Sequence, residues 1–195
     1  MATSSSTRER IIDEAMRLFG ENGYKGTSVT QIERAAGLTP GAGGMYHHFR
    51  TKEALLAAGI ERHLARLDAL RDIRQVFTGL GDLSAELTIT ARYALAELDS
   101  ETELLRIMAT ESRSRPQLVE RAVQELIGAT YTGFGRWLEE RAGLAPDRAA
   151  AVTAVGLGAL ISSRLLRTLL PADPVNVDDK TFVATWVEMM MGLLT

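Results

Sequence analysis

Gly37-Leu38-Thr39-Pro40-Gly41-Ala42-Gly43-Gly44-Met45-Tyr46-His47-His48-Phe49 is the stretch on which the reading of the whole chain turns. Its glycines are poor helix residues, each costing about 1 kcal/mol relative to alanine in a helix interior. It then runs into an aromatic-His-His-Phe string with no strand alternation. On its N-terminal side, Ser28 to Ala36 suits a short helix, with Thr27 or Ser28 as cap, Val29, Ile32, Ala35 and Ala36 facing inward, and Gly37 as a left-handed stop. Before that, a longer amphipathic helix starts near Thr7, carries Ile11, Ile12, Ala15, Met16, Leu18 and Phe19 on one face, and stops in Glu21-Asn22-Gly23. Beyond Phe49, Thr51 can cap a long helix through Leu56, Ile60, Leu64 and Leu67. Two short helices joined at a glycine and bracketed by longer ones are a helix-turn-helix arrangement.

Helical periodicity continues to the C-terminus with no alternating strand run and no Asn-Gly hairpin turn, so the chain is predicted to be all-α. Asp82 to Leu98 and Ser100 to Arg113 read as helices. Pro116 to Arg141 reads as one helix, with Val119, Val123, Leu126, Thr130, Phe134 and Trp137 at three- and four-residue spacing behind a first-turn proline. Asp147 to Leu170 then runs to a stop at Pro171, and Asp178 or Asp179 caps a last helix to Leu194. Met1 to Ser6 reads as a frayed polar arm.

With 195 residues, 46% hydrophobic and 24% charged, the chain is far from the composition of a disordered protein. It has no cysteine, which excludes disulfides, thiolate nucleophiles, thiolate zinc sites and iron–sulfur clusters. It also lacks a Gly-Xaa-Ser-Xaa-Gly motif, a dinucleotide fingerprint and a metal-spaced histidine set, so it reads as a non-enzyme without a cofactor. The longest uncharged apolar stretch, Ala149 to Ser163, is fifteen residues, short of the roughly 20 that span a bilayer. With no signal-peptide core at the N-terminus either, a cytoplasmic protein is expected. Charge is uneven: residues 1–52 hold seven Lys/Arg against five Asp/Glu, a balance of +2, and residues 53–195 hold the remaining fifteen against twenty, −5. The N-terminal quarter is therefore the part suited to an anionic partner.

Several ordered elements combine in that quarter. They are Ala15-Met16-Arg17-Leu18-Phe19-Gly20-Glu21-Asn22-Gly23, Gly26-Thr27-Ser28-Val29, Tyr46-His47-His48-Phe49 and Thr51-Lys52-Glu53-Ala54-Leu55. Together, over about residues 7–56, they resemble the DNA-binding end of the TetR family of transcriptional regulators. The resemblance implies an all-α protein with an N-terminal three-helix helix-turn-helix head, residues 1–50, and a C-terminal helical effector-binding and dimerisation domain, residues 51–195. It further implies a ligand-responsive regulator, a repressor, that binds a near-palindromic DNA operator as a homodimer and is released by a small-molecule effector. There are two departures. The family usually places its tyrosine five residues after the Ser/Thr that opens the recognition helix, whereas Thr39 to Tyr46 is seven, with Gly41, Gly43 and Gly44 between. Glu33 stands where the family has a small alanine near the helix crossing, so its carboxylate is expected to point outward or the crossing to widen.

On that resemblance, Thr27 and Ser28 hold one phosphate at a helix start, and Tyr46, His47 or His48, and Lys52 hold others across the major groove. Sequence reading falls to Thr39, Pro40, Gly41, Ala42 and Gly44. This set has no Arg, Asn or Gln for bidentate base contacts, so specificity is expected to lean on thymine methyl contacts, close backbone approach and DNA shape. Plainer roles exist for these residues. Phe49 and Tyr46 suit a core, His47 and His48 point about 100° apart on a helix and make a poor metal pair, and the glycines lack the Gly-Lys-Ser/Thr of a nucleotide loop.

Ala150, Ala154, Gly158 and Ser162 put a small residue at every fourth place of one helix, beside Leu157, Ile161, Leu165 and Leu169. With Trp186, Val187, Met190 and Leu194 of the last helix, they resemble the family's four-helix dimer interface, although small residues serve an intramolecular crossing equally well. Candidate effector-lining residues are Tyr93, Ile107, Met108, Glu111, Thr130, Phe134 and Trp137, aromatic walls with few polar groups. The competing reading is a helical protein-interaction regulator whose DNA-binding head is weak or vestigial.

Overall fold

The computed structural model describes residues 6–76, 82–170 and 176–194, leaving out the side chains of 66–76, 118, 121, 125 and 126. Pro171 and most of the N-terminal arm therefore lie outside the described residues, as do the side chains of Leu67 and Leu126. Every regular element among the described residues is helical: α1 Thr7–Gly26, α2 Val29–Ala35, a 3-10 turn Gly44–His47, α3 Lys52–Val76, α4 Leu83–Ser100 and α5 Thr102–Glu111. They continue with α6 Pro116–Val123, a π segment Gln124–Gly128, α7 Ala129–Ala142, α8 Pro146–Leu169 and α9 Asp179–Leu194. The chain forms two compact units, one of Met1–Arg66 with Thr102–Ala122, the other of Leu67–Glu101 with Val123–Thr195.

In the first unit α1 is capped by Ser6, one residue before the expected Thr7, its hydroxyl accepting from the Glu9 N–H at 3.2 Å. The helix buries Ile11, Ile12, Ala15, Met16 and Phe19 and breaks at Gly23, whose φ of 71° is left-handed. α1 packs along α5, with little room at Gly20, where a Cβ would lie 3.4 Å from the Glu103 Cα. Gly59 of α3 gives Met16 similar room. Thr51 caps α3 as expected, accepting from the Ala54 N–H at 3.0 Å, and Leu55, Leu56, Ile60 and Leu64 are buried. α2 departs from expectation: Ile32, Glu33 and Ala36 are buried, Val29 is half-buried and Ala35 is exposed. A polar residue that finds partners inside has displaced an alanine from the inner face.

The second unit is built on Leu87, Ala91 and Leu95 of α4, Phe134 and Leu138 of α7, Ala149, Val152, Leu157 and Leu160 of α8, and Val183, Trp186, Val187 and Met190 of α9. Burying side chains of this size contributes roughly 1.5–3 kcal/mol each. α8 and α9 meet at Gly156, whose carbonyl accepts from Trp186 Nε1 at 2.8 Å; a Cβ there would lie 2.7 Å from the Met190 sulfur. Asp82 caps α4 and Asp178 caps α9, through the N–H groups of Ala85 and Thr181. The expected single helix from Pro116 to Arg141 is interrupted by the π segment, which periodicity does not reveal.

α8 corrects the membrane expectation. Counted as a helix of 24 residues, it is long and apolar enough to cross a bilayer. It is only partly buried within the protein. One face is buried in the second unit, and its Arg164, only 4% exposed, pairs with Asp99 at 2.7 Å and Asp179 at 2.6 Å.

Candidate nucleic-acid interface

The sequence of the first unit explains how a glycine-rich segment comes to be exposed at Thr39 to Ala42. α2 opens with a reciprocal capping box. Ser28 Oγ accepts from the Gln31 N–H at 3.2 Å, and the Gln31 side chain accepts from the Ser28 N–H at 2.7 Å. It closes at Gly37, φ 72°, where the Leu38 N–H returns to the Glu33 carbonyl at 2.8 Å. The chain beyond Leu38 does not re-enter an α-helix. Thr39 to Ala42 is a β-turn closed by the Ala42 N–H on the Thr39 carbonyl at 3.2 Å, with Pro40 and Gly41 at its centre and φ 78° at Gly41, as a type II turn requires. Gly43, φ 77°, then starts the 3-10 turn. The expected recognition helix over Thr39 to Gly44 is thus two successive turns, because two left-handed glycines and a proline leave no run of helical residues long enough.

The turn is held from beneath by Glu33. Its side chain is 1% exposed and points inward, contrary to the expectation of an outward carboxylate; Oε2 accepts from the Gly41 N–H at 2.7 Å and Oε1 from the Met45 N–H at 3.1 Å. Met45 and Phe49 are buried below, and Tyr46 is 55% exposed. The aromatic string therefore divides, Phe49 to the core and Tyr46 outward. Thr39, Pro40, Gly41, Ala42, His47 and His48 are exposed, and Gly44 is half-buried against Leu38.

Two of the anticipated phosphate contacts face inward. Thr27 is 1% exposed and its hydroxyl donates to the carbonyls of Leu18 and Gly23, both at 2.9 Å. Lys52 Nζ donates to the carbonyls of Tyr24 at 2.7 Å and Thr27 at 2.8 Å, and lies 4.0 Å from the centre of the Tyr24 ring. Both residues tie the break after α1 to its neighbours. The Ser28 hydroxyl, though exposed, is engaged in the capping box.

Tyr24 itself is the residue that sequence reasoning missed. Its ring packs on Phe19 at 5.4 Å and lies between Lys52 and Arg115, the latter 3.8 Å from the ring centre. Burial, with a hydrogen bond to Glu53, pushes the phenol well above its ordinary proton affinity. Its N–H donates to Glu111 at 3.1 Å. An aromatic residue directly after a helix-breaking glycine was the available signal. Lys25, Arg34 and Arg50 are further exposed cations of the head that the motif-based reading passed over.

The seven proposed effector residues divide between the units. Ile107, Met108 and Glu111 are buried in the first; Tyr93, Thr130, Phe134 and Trp137 belong to the second, where Phe134 is buried and stacks on Trp137 at 5.4 Å. Glu111 accepts from Ser114 at 2.7 Å and Arg115 at 2.8 Å besides the Tyr24 N–H, so its carboxylate is fully employed within the fold. Among the dimer candidates, Leu157, Trp186, Val187 and Met190 are core residues of the second unit. Ala150, Ala154 and Ser162 are exposed, with Val155 53% exposed beside them, and Gly158, Ile161, Leu165 and Leu194 are half-buried. A cleft of about 330 Å³ in the second unit is lined by Arg92, Asp99, Arg164, Asp179 and Lys180 with Leu95, Ala96 and Val183. Among the described residues no three His, Asp or Glu side chains gather as metal ligands.

Residues 11–58 match the profile of the bacterial regulatory proteins, tetR family. That stretch is similar to the DNA-binding head of the TetR family. Over 66 residues, 34% of this chain, the protein is 42% identical to the HTH-type transcriptional repressor AcnR of Corynebacterium efficiens. That match spans 31% of the relative's length, so the chain covers about a third of it. In fold, the likeness runs almost end to end. A transcriptional regulator from Aquifex aeolicus superimposes with a TM-score of 0.69 at 24% identity, covering 96% of this chain and 99% of that one. The transcriptional regulator FadR from Bacillus subtilis, solved in complex with stearoyl-CoA, gives 0.65 at 15% identity, covering 93% and 96%. The TetR-type head thus carries a helical body of the same general fold as these regulators.

Proposed function

We propose that the chain is a ligand-responsive transcriptional repressor that binds a near-palindromic operator as a homodimer and is released by a small-molecule effector. The observation that carries this reading is the TetR match over residues 11–58, with Thr39 to Ala42 and Tyr46 to His48 exposed on the buried frame of Ile32, Glu33, Met45 and Phe49. In this reading Tyr46, His47 and His48 hold phosphates together with Lys25, Arg34 and Arg50, and Thr39, Pro40, Gly41 and Ala42 meet the base edges. Thr27 and Lys52 serve the frame. Residues 1–50 bind DNA and residues 51–195 dimerise and bind effector, in the cytoplasm where the DNA is. The name of the AcnR relative supports repression, and the stearoyl-CoA complex of the B. subtilis regulator supports a small-molecule effector, with half-buried Tyr93, Thr130 and Trp137 as its candidate contacts.

The dimer face we favour is the outer face of α8, Ala150, Ala154, Val155, Gly158 and Ser162, with Ala184, Thr185 and Gly192 of α9. Small residues let a two-fold partner's helices approach closely. A Cβ on Gly158 would find its nearest neighbour, the Tyr131 hydroxyl, at 4.0 Å, so Gly158→Leu has room within the chain. This variant is expected to keep its fold and to give a monomer mass by light scattering. A dimer mass would place the interface elsewhere.

Selection from random duplex DNA tests the whole reading. It is expected to return an inverted repeat with half-site centres about 34 Å apart, one turn of DNA. The absence of Arg, Asn and Gln from Thr39 to Gly44 favours the second reading, a protein-interaction regulator with a weak head, and a selection that enriches nothing would support it.

A further inference from the structure

We infer that Glu33 determines which DNA sequence the head prefers, by holding Thr39 to Gly44 as a turn that offers main-chain groups to the base edges in place of side chains on a helix; the inference rests on the DNA-binding reading above. A carboxylate taken out of water is costly unless its oxygens accept hydrogen bonds. Glu33 accepts two, both from the backbone of the segment it underlies, the N–H groups of Gly41 at 2.7 Å and Met45 at 3.1 Å. The turn has the complementary need, since its N–H groups have no helix ladder to enter. Glutamate and glycine turn are matched parts, and each departs from the family pattern at the place where the other requires it.

The match fixes an orientation. No peptide bond among the described residues is cis, and in a planar trans peptide the C=O points opposite to the N–H. The Gly41 N–H is directed at buried Glu33, so the Pro40 carbonyl in the same peptide is directed away from it, toward the side on which Thr39, Pro40 and Ala42 are exposed. A carbonyl so placed is an acceptor for the exocyclic amines of cytosine or adenine in the major groove. The Thr39 and Ala42 methyls stand beside it as contacts for thymine. Without the carboxylate the central peptide of the turn is free to rotate, and that acceptor is lost or redirected. Glu33 is thus a positioning residue: it touches no base and acts through the turn.

The test takes the full chain, wild type and Glu33→Gln, through selection from random duplex DNA, followed by anisotropy titrations on the wild type's preferred duplex and on an unrelated duplex of equal length. Glutamine keeps the side-chain volume but offers one acceptor oxygen where two N–H groups arrive. Affinity for the preferred duplex is expected to fall at least about tenfold, the size of a lost base-edge contact. Affinity for unrelated DNA should stay within about twofold, because phosphate contacts are untouched. The recovered motif should change within each half-site. Gly41→Ala is the companion variant: at φ 78° with nothing within 4 Å of its Cβ, it strains the turn without crowding and leaves Glu33 in place, so it should shift the motif likewise, including where Glu33→Gln fails to fold by circular dichroism. A folded Glu33→Gln with the wild-type motif, or equal losses on both duplexes, would overturn the inference alone. So would an unchanged motif for Gly41→Ala. A wild type that enriches no motif would overturn the DNA-binding reading and this inference with it.

Discussion

Glu111→Ala is expected to lower the stability of the first unit by about 3–5 kcal/mol, the cost of removing one partner from a buried, hydrogen-bonded charge pair. The Glu111 side chain is 8% exposed and accepts from the Tyr24 N–H, the Ser114 hydroxyl and Arg115, three donors that alanine leaves unmatched. A urea melt of the variant measures the loss; one within about 0.5 kcal/mol of wild type, the range of an ordinary surface change, would contradict this account. The effect also has a pH signature. Burial pushes the Glu111 carboxyl upward, but the bonds from Ser114, the Tyr24 N–H and Arg115 outweigh it and hold the group below the ordinary value of 4.5. A carboxylate with a depressed folded value contributes its stability above the unfolded value and loses it as pH falls through the folded one. Wild-type stability should therefore drop below about pH 4.5, and Glu111→Ala should flatten that limb. Parallel acid limbs would remove Glu111 from the titration.

Lys52→Ala is expected to cost about 2–4 kcal/mol, through two charge-assisted bonds to the carbonyls of Tyr24 and Thr27 and the contact with the Tyr24 ring. Burial pulls its ammonium below the ordinary lysine value, and Arg115 adds to this against Glu53 and Glu111. The same residue read as a phosphate contact gives a different result: unchanged stability, with the slope of log affinity against log salt reduced by about one. Denaturant melts and salt titrations on one preparation separate the two. A lower melt places Lys52 in the frame; an intact melt with a shallower slope returns it to the phosphate set.

The helices were legible because apolar spacing and caps are local signals. Thr51 caps where the sequence places it, Asp178 is one of the two caps it offers for the last helix, and the buried face of α1 follows its periodicity. What escaped was decided by hydrogen-bond partners that no helical period points to. Glu33, Thr27 and Lys52 each look like surface residues until the N–H that donates to the first and the carbonyls that accept from the other two are known. Apolarity misled in the opposite direction at Trp186, Val187 and Met190. The same property that suggested a dimer face buries them in the core of the second unit, while the smaller, plainer Ala154 and Ala184 are exposed and Gly158 is half-buried. The recognition segment departs from the family's spacing in the sequence itself, but that it folds as turns follows only from the left-handed conformation of Gly41 and Gly43, which composition does not announce.

The most direct test of the central claim is fluorescence anisotropy of the wild-type chain, across a salt series, on the inverted repeat recovered by selection and on a scrambled duplex of the same composition. This account predicts a preference of at least about a thousandfold for the repeat, the lower end for specific regulators, persisting as salt rises and non-specific binding is lost. Equal affinity for both duplexes, falling together with salt, would contradict it.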